Sequence, residues 1–189
     1  MNKAGNQRSK STQDAIEKAV FILLKRQGYD AFSVRDVCTE AGINRSSFYA
    51  HYQDINDLMI KIESNLVQRV QETLINPISA NKTNYFEDYF INFFNFVKEY
   101  KVFYRAFLKT GNPSFSAPNL LSKSKDQLKK LSQAKGFNYT DEEIDFHLHY
   151  FGGGLKAVTA LWIQYDCKQT PEQMAKIIHD EYANNTKYF

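Results

Sequence analysis

The sequence predicts an all-α protein of about nine helices, on three observations. Glycine and proline are scarce, at 8 and 4 of 189 residues, which favours helices over a turn-rich sheet. Apolar residues recur three and four apart along most of the chain, the spacing that gives a helix one buried face. The breaks between these runs carry helix stops and starts: glycine or proline, then Ser, Thr or Asp ahead of the next run. No alternating strand pattern competes with them, and there is no internal repeat. A chain of this length suits one sizeable domain, or two small ones sharing a core.

Residues 1–10, MNKAGNQRSK, are polar and carry Lys3, Arg8 and Lys10 with no acid. They read as a flexible basic tail, either a solvated terminus or an arm touching DNA. The first helix follows. Ser11 or Thr12 caps it, and Asp14 sits in its first turn, where the helix end is partially positive. Ile16, Ala19, Val20, Leu23 and Leu24 form its apolar stripe, Lys25 and Arg26 suit its last turn, and Gly28 ends it. Ser33 with Asp36 is a capping box that opens the second helix, with Asp in place of the usual Glu. Val34, Val37, Cys38 and Ala41 are its inward face. Gly42 and Ile43 lead to a short third helix from about Asn44 to Tyr49. A fourth begins near Asp54, with Ile55, Leu58, Met59, Ile62, Leu66, Val70 and Leu74 as its stripe, and stops at Pro77.

After the polar break ISANKTN, an aromatic-rich segment predicts two helices divided near Tyr100 to Val102. GNPSFSAPN is a loop by its Gly111, Pro113 and Pro118. A helix from about Asn119 to Ala134 precedes Gly136. Thr140, three before Glu143, caps the next, from about Asp141 to Asp166. Thr170 caps the last, which Pro171 opens. The expected domains are the tail over 1–10, a three-helix head over 11–53, a connecting helix over 54–76 and a helical second domain over 77–189.

Hydrophobic residues at 43% and charged residues at 24% are ordinary for a soluble globular protein. A net charge of +3 does not by itself announce a nucleic-acid binder. The opening residues have no apolar core to act as a signal peptide, and no apolar run approaches the ~20 residues that span a bilayer. The two cysteines, Cys38 and Cys167, form no disulfide framework and no CxxC. Together these points predict a reduced, cytoplasmic protein. Cys38 reads as core, and Cys167 lies at a helix end. His147 and His149 point to different sides of a helix and no zinc spacing is present, so no metal site is expected. There is no phosphate loop, GxGxxG or GxSxG, and no carboxylate pair in a defined cleft, so neither an enzyme nor a cofactor is expected.

The informative stretch is AGINRSSFYAHY, Ala41–Tyr52. It joins two short helices by a tight turn, the helix-turn-helix arrangement. Gly42 fits a turn position that needs a positive φ. Ile43 turns back toward Val34, Val37 and Phe48. One face is left to Asn44, Arg45, Ser46, Ser47 and, at its end, Tyr49 and His51. Such short or planar donors and acceptors suit close approach to DNA. Arg45 matches a guanine edge in the major groove. Ser46 and Ser47 let the helix sink in, and Tyr49 and His51 suit phosphates that fix the docking angle.

Thr12 to Met59 resembles the DNA-binding domain of the TetR family of bacterial repressors. The resemblance is carried by the first helix, by FSVRDVCTEAGINRSSFYAHY and by the following D-L-M. It implies contacts to DNA from Ser33 and Arg35 in the second helix, and from Arg45, Ser46, Ser47, Tyr49 and His51 in the third. Many members carry a phosphate-gripping lysine at the head of the fourth helix. Here Ile55 stands there, between Asp54 and Asn56, and the basic tail is the available compensation. FVKEYKVFYRAFLKTGNPSF and FGGGLKAVTALWIQYDCKQTPEQMAKII resemble TetR-type regulators of Gram-positive, Firmicutes-type bacteria, and those of dihydroxyacetone metabolism look similar. The resemblance implies an all-helical effector and dimerisation domain.

Within that second domain two readings of the aromatic residues stand side by side. Phenylalanine at helical spacing makes a plain core, and aromatic walls also line small-molecule pockets. A pocket would draw on Phe93, Phe103, Tyr104, Phe107, Phe151 and Trp162. Gly152, Gly153 and Gly154 sit inside a helix, where each costs roughly 1 kcal/mol against alanine. Close packing on a partner helix offsets that cost, as in the four-helix bundle that joins TetR-type dimers. A kink that opens a cavity is the alternative. The function implied is a homodimeric repressor on a near-palindromic double-stranded DNA operator, modulated by an unidentified small molecule. The alternative is a DNA-anchored adaptor or activator whose second domain binds a protein.

Overall fold

The apolar spacing is realised as helix among the described residues. The computed structural model describes residues 3–28, 32–75, 85–109, 125–134 and 136–183, with nine helices and no strand among them. These are α1 (Lys3–Gln27), α2 (Val34–Ala41), α3 (Arg45–Tyr49), α4 (Ile55–Ile75), α5 (Tyr85–Glu99), α6 (Lys101–Lys109), α7 (Lys125–Ala134), α8 (Asp141–Gln164) and α9 (Pro171–Ala183). The breaks assigned to ISANKTN and GNPSFSAPN, and the helix start at Asn119, lie outside the described residues.

Two compact units form. Met1–Asn65 and Val102–Ser114 make the first, and Leu66–Lys101 and Phe115–Phe189 the second. In the first, Ile16, Val20 and Leu23 of α1 are wholly buried, with Val37, Phe48, Leu58 and Met59. Each such side chain contributes roughly 1.5–3 kcal/mol by leaving water. Helix α6 belongs to this unit, so the expected boundary before residue 77 does not describe it. The reason is a contact that local sequence cannot show: Phe103 of α6 lies 5.8 Å from Phe21 of α1, ring centre to ring centre.

α1 also departs from expectation at its start. It is helical from Lys3, inside the 1–10 segment expected to be a flexible tail. No proline interrupts that segment. Once the buried stripe has nucleated the helix, each further residue adds a hydrogen bond at little cost, so Ser11 and Thr12 are passed over as caps. Gly28 does end the helix, at φ 76°, its N–H on Leu24 O at 3.2 Å.

In the second unit α5 packs on α9, and two ring contacts join α5 to α8. Phe90 meets Phe151 at 5.8 Å, and Phe94 meets Trp162 at 5.3 Å. α7 is tied to α8 by Lys125–Asp145 at 2.6 Å and by Lys129–Asp141. The Thr140–Glu143 capping box forms as expected. The end of α8 differs: the helix stops at Gln164, and Asp166 and Cys167 turn the chain at φ 59° and 54°. Left-handed backbone is costly for residues with a Cβ. It is held here by Cys167 N–H on Trp162 O (2.9 Å), the Trp162 indole N–H on Gln169 O (3.2 Å), and Lys101 on Asp166 (3.0 Å).

Candidate nucleic-acid interface

The site is built by caps. Ser33 stands at the N-terminus of α2 in extended backbone, φ −112° and ψ 173°. Its N–H and hydroxyl both donate to Asp36 Oδ2 at 2.7 Å, and its oxygen accepts from Asp36 N–H at 3.4 Å. The Ser33 bonds hold the Asp36 carboxyl below its ordinary range. At the other end Gly42 takes φ 65° and ψ 34°, and Ile43 N–H reaches Cys38 O at 3.0 Å. That left-handed residue aims the chain into α3.

Asn44 then caps α3. Its Oδ1 accepts from Ser47 N–H at 2.8 Å and from the Ser46 hydroxyl at 2.7 Å. These bonds refine the sequence reading: the Asn44 carbonyl oxygen is committed to the cap, and Ser46 keeps its lone pairs for a further donor. Ser33, Arg35, Asn44, Arg45, Ser46 and Tyr49 are exposed, while Ser47 and His51 are half-buried. The nearby carboxylate Glu40 goes to Arg26 at 3.1 Å. Phe48 anchors the opposite side of α3, fully buried, its ring 5.5 Å from those of Tyr49 and Tyr52. Burial pushes the Cys38 thiol up, with Arg45 pulling less strongly the other way, which suits a core cysteine. Burial first, then Glu17, Asp57 and Asp14, pushes the Tyr52 phenol up to about 12, so it stays neutral.

Sequence reasoning passed over the junction between α3 and α4. Lys61 donates to His51 O and to Asp57 Oδ2, both at 2.9 Å, and its Nζ lies 5.3 Å from the centre of the Tyr52 ring. Asp57 also accepts from Gln53 N–H at 2.9 Å, and its own N–H reaches Asp54 Oδ1 at 2.8 Å. The Lys61 bond, then the Gln53 N–H, holds the Asp57 carboxyl below its usual range. The i,i+4 spacing of Asp57 and Lys61 was visible in the sequence; the His51 carbonyl was not.

The residues named for a pocket divide between the units. Phe103, Tyr104 and Phe107 fall in the first, and Phe93, Phe151 and Trp162 in the second. All but Phe151 are buried, so they serve as core where the structure places them. The Thr159 hydroxyl is also fully buried and has no hydrogen-bond partner among the described residues. Gly152 is buried, whereas Gly153 and Gly154 are exposed. Around them α8 shows Phe146 (75% exposed), Tyr150 (80%) and Leu161 (46%), and Tyr165 (56%) stands just past its end. Positions 146, 150, 153, 157 and 161 share one helix face. Sequence reading saw Gly153 of this stripe and missed its aromatic members. Among the described residues no group of His, Cys, Asp or Glu could hold a metal ion, and no helix is long and apolar enough to cross a membrane.

Two family models match the chain. One, described as bacterial regulatory proteins of the tetR family, matches residues 18–62. The other, a transcriptional regulator C-terminal region, matches residues 84–181, more than half of the chain. Among solved structures, the dihydroxyacetone kinase operon activator DhaS is similar at 23% identity and TM-score 0.65, over 94% of this chain and 97% of that one. The fatty acid degradation regulator FadR from Bacillus halodurans is similar at 15% identity and TM-score 0.62, over 96% and 97%. A TetR family transcription regulator from Marinobacter aquaeolei VT8 follows at 17% identity and TM-score 0.59, over 93% and 97%. At these identities the likeness is one of fold.

Proposed function

Because the chain belongs to the TetR family of bacterial transcriptional regulators, with a DNA-binding N-terminal domain, we propose that it is a cytoplasmic, homodimeric repressor of a near-palindromic operator. The observation that carries the DNA-reading half is the face of α3. It is a short helix capped at its start and pinned by Phe48, with Arg45, Ser46 and Tyr49 turned to solvent. Arg45 would read a guanine edge, the serines the groove wall, and Tyr49, His51, Ser33 and Arg35 the phosphates. A two-fold dimer would set two such helices roughly 34–36 Å apart, or a multiple of that.

The apolar stripe of α8, with the exposed Ile177 of α9, supports a second copy of this chain as the partner, seated through Gly153 and Gly154. The buried, unpartnered Thr159 hydroxyl supports an uncharged small-molecule effector. Such an effector lowers DNA affinity only so far as DNA lowers the affinity for it. A second reading draws on the similarity to DhaS, an operon activator. On that reading the second unit binds a protein and the head is an anchor.

Fluorescence anisotropy tests the proposal, using the DNA just upstream of the gene against a scrambled duplex at several salt concentrations. Saturable binding well tighter than to scrambled DNA, weakening steeply with salt, is expected. Equal weak binding to that duplex, and to any recovered from a random pool, sinks the reading.

A further inference from the structure

The α3–α4 junction carries a device that the contact residues alone do not explain. α3 spans only Arg45–Tyr49. A helix so short does not hold itself, so its direction is set by whatever grips its two ends. Gly42 and Asn44 grip the first. At the second, Ala50 N–H reaches Ser46 O at 3.0 Å, and His51 and Tyr52 N–H reach Phe48 O at 2.9 and 3.0 Å. The carbonyl of His51, two residues past the end of α3, is taken by Lys61 from α4.

We propose that Lys61 and Asp57 act together as a positioning clamp for DNA reading: they fix the turn that leaves α3 to α4 and so set the angle at which Arg45, Tyr49 and His51 meet the duplex. The inference rests on the DNA-reading assignment of α3. The ammonium of Lys61 has three donors, and two are committed, to His51 O and Asp57 Oδ2. Its charge also lies over the buried Tyr52 ring, 5.3 Å from the ring centre, a favourable placement. Asp57 completes the frame by holding Gln53 N–H in the turn between the helices. As a surface ion pair, at 48% and 23% side-chain exposure, it adds little to global stability. Its effect is angular: a small rotation of a helix barely longer than one turn displaces every side chain that meets a base.

This role separates from plain electrostatics by sign. Asp57→Asn removes a negative charge from the unit that approaches a polyanion. Coulomb attraction alone then strengthens DNA binding, whereas loss of the clamp weakens it. Lys61→Met separates the roles a second way. A phosphate ligand lost there lowers the slope of log K against log salt by about 0.9; a lost positioning residue leaves the slope unchanged.

The test uses the full chain, a duplex that the wild-type protein recovers from a random pool, and a scrambled duplex. Anisotropy is read at several salt concentrations, alongside thermal melts that confirm both variants are folded. Both variants should bind the recovered duplex about tenfold more weakly, near the low end of what one lost base contact costs. They should bind scrambled DNA within about twofold of wild type, with the salt slope kept. Equal or tighter binding of the recovered duplex by Asp57→Asn, or a slope reduced by about one in Lys61→Met, overturns the clamp. If the wild type recovers no sequence at all, the DNA-reading assignment falls first and the clamp with it.

Discussion

Gly153→Leu puts the proposed dimer seam to a test in which two hypotheses predict opposite signs. Gly153 lies inside α8, is exposed, and a Cβ built on it meets nothing within 4 Å. In a lone protomer the leucine therefore meets no clash and gains helix propensity, roughly 0.8–1 kcal/mol. That raises Tm by about 2–4 °C for a chain of this size. In a two-fold dimer joined along this face, the leucine enters the seam twice. Overpacking costs ~1–3 kcal/mol at each site, hence ~2–6 kcal/mol for the pair. At 1.4 kcal/mol per tenfold, association weakens by about 30-fold to 10⁴-fold. Sedimentation velocity with light scattering over a dilution series reads the association, and melts at high and low concentration read the protomer. The expected result is a dimeric wild type and a folded, dissociated variant. A variant that stays dimeric and melts higher would falsify the reasoning, because the stripe would then face water.

Arg45→Ala should lose ~1–3 kcal/mol of operator binding and relax the requirement at one base of each half-site; unchanged affinity across operator variants removes Arg45 as a reader. Gly42→Ala meets no neighbour within 4 Å but keeps φ 65°, so it should cost ~1–2 kcal/mol in urea unfolding from backbone strain alone. Thr159→Val should stabilise the protein by about 1 kcal/mol, since it removes a buried hydroxyl without a partner; a drop in Tm would mean that the hydroxyl is bonded in solution. Acid unfolding should follow the capped carboxylates. Asp36 and Asp57 have pKa values depressed by folding, from 3.8. Their stabilisation is thus complete above about pH 4–5 and lost as pH falls through the lower folded values. Asp36→Asn should lower stability in the neutral range and flatten its fall on the acid side, read as urea midpoints at a series of pH values.

What was legible in the sequence is what local rules govern. The Ser33–Asp36 and Thr140–Glu143 boxes act over three residues, and both form. Gly42 was marked by its missing side chain, and its φ of 65° is the conformation only glycine takes cheaply. Illegible features depend on residues distant in the chain. Asp166 and Cys167 adopt left-handed backbone although neither is glycine, because the Trp162 indole and Lys101 hold that turn. Lys61 gave a helical pair with Asp57 but no hint of the His51 carbonyl, which comes within reach only after the chain has folded back. Asn44 and Ser46 were read as one polar face, and the structure turns them toward each other. The exposed Phe146 and Tyr150 look like ordinary core residues by spacing; only their exposure distinguishes them.

The placement of α6 bears on how such a protein can be cut and recombined. The DNA-reading unit is not a prefix of the chain: it is closed by Val102–Ser114, which arrives only after α4 and α5. A fragment ending at Ile75 would leave the Phe21 ring without Phe103. Exchanging heads between relatives at the end of α4 would set α1 of one lineage against α6 of another. A modular swap therefore has to carry α6 with the head, and α1 and α6 are expected to change together as such proteins diverge.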